Sequence, residues 1–135
     1  MASLRRHIDV EIDNIHKILD KFPSAQSLPN LSELELAGVA ALVHSFYNGI
    51  ENILKQIIYS RGLKVSSGPT WHRDLVELAI VEKIISESTA ERLRQYLAFR
   101  HFFSHAYAFE IHADRIVSLV DCAREVFQKL LDDIK

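Results

Sequence analysis

Apolar positions in this chain recur every three or four residues over long stretches. Nowhere do they alternate in the two-residue rhythm of a half-buried strand, so the pattern predicts an all-α protein. Over about residues 2–22, Leu4, Ile8, Ile12, Ile15, Ile18 and Leu19 form a stripe with charged residues opposite, a first helix that stops near Pro23. Residues 23–30 read as a loop. Ser32 followed by Glu35 has capping-box spacing and opens a second helix to about Arg61, with Gly62 as its terminator. Gly38 and Gly49 inside that helix each cost about 1 kcal/mol relative to alanine, which close packing against a neighbouring helix would explain.

After a connection over residues 64–69, a short third helix begins around Thr70 and carries Leu75, Leu78, Ala79 and Val81. Ser88 with Glu91 predicts the cap of a fourth helix, and a helical wheel accommodates residues 96–112. The last helix starts near Asp114, with Ile116, Leu119, Val120, Ala123, Val126, Phe127, Leu130 and Leu131 facing inward. The expected architecture is an up-and-down bundle of four to five helices, one domain over residues 1–135.

Composition narrows the class. At 135 residues the chain can build one core, and its 48% apolar and 25% charged content is that of a globular protein. No run approaches the roughly 18 consecutive apolar residues of a spanning helix, so no membrane role is expected. Arg5 and Arg6 fall where a signal peptide would need its apolar stretch. One cysteine, Cys122, permits no internal disulfide and fits a reducing cytoplasm. The formal charge of −2 argues against a general nucleic-acid-binding surface, since proteins that hold long tracts are strongly basic. Action on RNA would need a local positive site, such as a cleft between two subunits.

Residues 96–112 hold the candidate chemistry. On the wheel Phe99, Phe102, Phe103, Ala106 and Phe109 cover one side, while Arg100, His101, Ser104, His105, Tyr107 and Ala108 cover the opposite arc. The plain alternative is a solvated helix face. Against it, His101 and His105 lie at i, i+4, and Arg100 and Tyr107 are two turns apart, so a cation, two imidazoles and a phenol share one face.

The spacing Arg100-x4-His105-x-Tyr107, with a polar residue after the arginine, resembles the R-x4-H-x-Y signature of HepT-like ribonuclease toxins, all-helical members of the HEPN superfamily. The stretches Ser45-Phe46-Tyr47-Asn48-Gly49-Ile50-Glu51 and Trp71-His72-Arg73-Asp74-Leu75 are similar to segments at corresponding places in that family, extending the likeness over nearly the whole chain. The resemblance implies a metal-independent endoribonuclease, the toxin of a toxin–antitoxin pair, working as a homodimer on RNA with no cofactor. It implies Arg100 and His105 as catalytic residues, with His101 and Ser104 in support. Tyr107 would be the position adenylylated by a partner minimal nucleotidyltransferase antitoxin, whose added charge and bulk would exclude substrate phosphate. Asn48 and Glu51, one turn apart on the second helix, are possible further contributors.

Other readings separate on stated features. A metal enzyme could use His101 and His105, but there is no H-E-x-x-H pattern and no cysteine cluster. A catalytically inactive HEPN module that binds nucleotide or a protein partner is the main alternative. A purely structural adaptor would show an exposed apolar stripe where Arg100 to Tyr107 is polar.

Overall fold

The computed structural model describes residues 2–135, the Ala2 side chain excepted. Helix α1 spans Ala2–Lys21, α2 Glu33–Ser60, α3 Trp71–Val81, α4 Glu87–His105 and α5 Ala113–Ile134. Short 3₁₀ turns cover Ala25–Asn30 and Ala108–Glu110. The helical bundle foreseen from periodicity is the fold observed.

Helix α2 is the centre of the bundle and touches each of the other four α-helices. Its apolar residues are too many for one stripe: Val43, Phe46, Tyr47, Ile50, Ile53, Leu54 and Ile58 are all buried. A helix apolar over so wide an arc is stable only when neighbours surround it. Phe46 packs against the Tyr96 and Phe127 rings, with centroids 5.3 and 6.3 Å away. The buried Tyr96 hydroxyl donates to the Leu119 carbonyl at 2.6 Å, tying α4 to α5.

The termini of α2 are chemically specified. Ser32 Oγ accepts from the Glu35 N–H at 3.1 Å, and the Glu35 carboxylate accepts from the Ser32 N–H at 2.9 Å. At the other end Gly62 takes φ +76°. The Leu63 and Gly62 amides donate to the carbonyls of Ile58 and Tyr59, a Schellman closure that a side chain at Gly62 would strain.

Three expectations need correction. The cap of α4 is Ser86, whose Oγ accepts from the Thr89 N–H at 3.1 Å, rather than Ser88. Asp133 on α5 decides this, accepting hydrogen bonds from the Ser86 amide and hydroxyl and from the Thr89 hydroxyl. Residues 25–30 form a 3₁₀ turn rather than a featureless loop, because Leu28 is fully buried and must be carried inward. Of the two glycines inside α2, only Gly49 is there for close packing.

A Cβ on Gly49 would lie 2.7 Å from Ile15 Cγ1, whereas Gly38 has nothing within 4 Å. Ile15 is itself 1% exposed, so it has little room to give. Gly49→Ala is therefore expected to destabilise the fold by about 1–3 kcal/mol, while Gly38→Ala stabilises it by up to about 1 kcal/mol. Urea unfolding of both variants checks this, and equal shifts would refute the packing account.

Candidate active site

Arg100, in the last two turns of α4, organises the site. Its Nε donates to His72 Nε2 at 3.3 Å, and its Nη1 lies 2.6 Å from His44 Nε2. Because a guanidinium can only donate, both imidazole nitrogens must accept, which places each ring proton on Nδ1. His72 Nδ1 then donates to Glu51 Oε2 at 2.7 Å. The result is a continuous chain, Glu51–His72–Arg100–His44, drawn from α2, α3 and α4.

Local sequence explains how these groups meet. His44 and Glu51 are seven residues apart on α2, two turns, and share a face. His72 is the second residue of α3 and reaches back to that face. Its ring packs on Trp71, over which Lys55 places its ammonium 4.7 Å from the ring centroid. Arg100 enters from α4, whose Phe99 is buried against the core and whose Phe103 ring lies 5.3 Å from that of His44.

Glu51 is 1% exposed, an unusual position for a carboxylate. Burial pushes its pKa up, opposed by the hydrogen bond from His72 and by the charges of Arg100 and Lys55. Its Oε1 has no hydrogen-bond partner among the described residues, with Arg100 Nε 4.0 Å away. The buried Tyr47 phenol, one turn before Glu51, is pushed up by burial and by that carboxylate. His44 is pushed down, first by burial and then by the Arg100 cation beside it. Its imidazole is thus kept in the form that accepts from Arg100.

A cleft of about 730 Å³ opens on this chain between α3 and α4, and His44, His72, Arg100, His101 and Ser104 contribute to its lining. His105 lies outside it, exposed, with its ring edge-on to His101 at a centroid distance of 4.9 Å. Ser104 Oγ donates to the His101 carbonyl. Glu51 is connected to Arg100 as described; Asn48 is exposed and does not line the cleft.

Tyr107 departs from the expected geometry. Helix α4 ends at His105, and both Ala106 and Tyr107 are extended, so Tyr107 does not stand two helical turns above Arg100. The chain must turn here to bury Ile111 and begin α5. Glu110 secures that turn by accepting from the Tyr107 N–H at 2.7 Å. Tyr107 is 71% exposed and stacks on Phe109, which is exposed too rather than part of the anchoring phenylalanine side.

His44 was missing from the sequence reading, and His72 was not connected with the site. The seven-residue spacing of His44 and Glu51 was the available signal for the first. Nothing local joins His72 to Arg100 across 28 residues.

Residues 38–135 match the family model described as HepT-like protein. The chain belongs to the HepT-like family. Membership places it in the HEPN superfamily, in agreement with the helical bundle and with the Arg100-x4-His105 spacing. No curated protein and no solved structure gives a significant match to the chain. Among the described residues no helix is long and apolar enough to cross a membrane.

Proposed function

We propose that this HepT-like chain is the toxin of a toxin–antitoxin pair, a metal-independent endoribonuclease that acts on cytoplasmic RNA as a homodimer. The observation that carries the reading is the state of Arg100. Its hydrogen bonds go to two imidazoles, the Glu51 carboxylate stands off on the buried side at 4.0 Å from Nε, and Nη2 is left for a phosphate in the cleft. Arg94, lining the same cleft, is instead paired with Glu77 and Glu87 at 2.9 and 3.0 Å.

In this reading Arg100 binds the scissile phosphate and stabilises charge developing on its non-bridging oxygens. His105 Nε2 or Nδ1 takes the proton of the ribose 2′-hydroxyl, and O2′ forms a bond to phosphorus as the bond to O5′ breaks. A protonated imidazole returns a proton to the departing 5′-oxygen, leaving a 2′,3′-cyclic phosphate and a 5′-hydroxyl. Base and acid are two groups, and in the homodimer the His105 of the second copy supplies the other. His101 and Ser104, at the rim of the cleft, help to hold the phosphate.

Tyr107 is the control point. Its exposed phenol on an extended segment is open to a nucleotidyltransferase antitoxin. The phenolic oxygen would attack the α-phosphorus of ATP, releasing pyrophosphate and leaving an adenylate ester two residues from His105. The negative charge would repel an incoming RNA phosphate.

The test is incubation of purified protein with tRNA and mRNA in excess chelator. Cleavage leaving 2′,3′-cyclic ends is expected. Intact RNA would favour an inactive nucleotide- or protein-binding module, and cleavage abolished by the chelator would favour a metal enzyme. Co-expression with the partner transferase should add one or more adenylates to the intact mass, and Tyr107→Phe should abolish the increment. An unchanged increment in that variant would place the modification elsewhere.

A further inference from the structure

The connection from α4 to α5 carries two features that the chemistry of the α3–α4 cleft leaves unused. Tyr107 and Phe109 are 71% and 53% exposed, and their rings stack with centroids 5.4 Å apart and planes 14° from parallel. Large rings are ordinarily buried to a greater extent. Here the turn fixed by Glu110 carries Ile111 inward and leaves both rings outside. The second feature is Arg115, in the first turn of α5, whose guanidinium lies 3.8 Å from the centroid of the Phe102 ring on α4. Arg92, Arg94 and Arg124 are each paired with carboxylates, whereas Arg115 is exposed with no ion-pair partner among the described residues. Phe102 precedes His105 by about one helical turn and Tyr107 follows it by two residues, so the stacked cation and the ring pair flank His105 along the chain.

We infer that the α4–α5 connection is a subsite for single-stranded RNA beside His105, in which the Tyr107–Phe109 stack takes one unpaired base and Arg115 takes a backbone phosphate next to the one that is cleaved. Two near-parallel rings leave an outer face on which a third planar ring continues the stack, and every base has such a face. The base must be unpaired, because ring faces are reached only outside a duplex. A guanidinium seated on Phe102 is held through its face, which leaves its N–H edge for phosphate oxygens. Of the two carboxylates in the segment, Glu110 is turned to the Tyr107 amide and Asp114 adjoins Arg115, so this one arginine holds a single phosphate and no longer tract. A protein partner fits less well. Two rings set among Glu110, His112 and His105 do not make the contiguous apolar centre of a protein interface. The inference rests on the reading of RNA as the substrate, and its residues Phe109 and Arg115 lie outside the Arg100-x4-His105 spacing.

Fluorescence-anisotropy titrations of full-length His105→Ala protein test it with two probes, a labelled 2′-O-methyl RNA hexanucleotide and an abasic backbone of the same length. Phe109→Ala and Phe109→Leu should each weaken hexanucleotide binding about tenfold, within the range of one stacked base, and leave the abasic probe unaffected. Phe109→Trp should keep the affinity and show a quench on binding larger than that of the parent, whose one tryptophan is Trp71. Arg115→Ala should weaken both probes alike and lower the slope of log affinity against log salt by about 0.7. Both side chains are exposed, so folding is not at stake, and circular dichroism checks it. Phe109→Leu binding like the parent, an unchanged salt slope in Arg115→Ala, or a parent that binds neither probe overturns the inference. So does a Phe109→Ala variant that keeps its RNA affinity but loses association with a second copy or with a nucleotidyltransferase, which would mark the rings as a protein contact. Binding lost in these variants, by a chain that cleaves nothing with His105 intact, would refute only the ribonuclease reading. Cleavage at the parent kcat/KM by Phe109→Leu and Arg115→Ala variants that retain His105 would refute only this subsite.

Discussion

His105→Ala is expected to lower RNA cleavage by about 10²- to 10⁴-fold, the range of a positioned general acid or base, with the melting temperature unchanged. The side chain is exposed and makes no hydrogen bond among the described residues, so little structure depends on it. Arg100→Ala should lower the rate by about 10²- to 10³-fold. Arg100→Lys should fail to restore it. The guanidinium divides its donors between His72 Nε2 and His44 Nε2 and keeps others for substrate, which a single ammonium cannot do. Rates of cleavage of one labelled RNA, with circular dichroism as the fold control, decide the matter. Undiminished cleavage by His105→Ala would remove that residue from the mechanism.

The second large effect is on stability. His72→Ala takes away the hydrogen bond to a carboxylate that is 1% exposed. Leaving a buried charge without its partner costs about 3 kcal/mol, the lower end of the range because water can enter beside the partly exposed His72. The sign with pH follows from Glu51. Burial holds its pKa above the ordinary carboxylate value, so its folded-state contribution is fully present below that value and is lost as pH rises through the raised one. Without His72 the folded value rises further, since an opposing hydrogen bond is gone. The variant should therefore lose most stability near pH 8 and less near pH 5. Adding Glu51→Gln should recover much of the loss at pH 8. Urea unfolding at both pH values tests this, and an equal deficit at each, with no rescue, would show that the carboxylate is not the cause.

These expectations depend on features of unequal visibility in the chain. The helices could be read because apolar spacing reports a buried face directly, and the α2 box and Gly62 stop are local hydrogen-bond chemistry. The α4 cap was misplaced because two serines could serve, and Asp133, 47 residues away, selects Ser86. The helical wheel failed after His105 for a similar reason. Burial of Ile111 and the Glu110–Tyr107 hydrogen bond override a local pattern that is compatible with helix.

The Arg100–His105 segment shows the same division. Residue order alone determines that an arginine and a histidine stand five positions apart near the end of a polar helix face, and that phenylalanines anchor the other side. Tertiary structure alone decides what surrounds the arginine. Helices α2 and α3 bring His44, Glu51 and His72 to it, make two imidazoles its hydrogen-bond acceptors, and open a cleft beside it. Periodicity encodes which face of a helix is buried. It carries no information on which polar group of one helix meets which of another, because that depends on how the packed helices are rotated and offset.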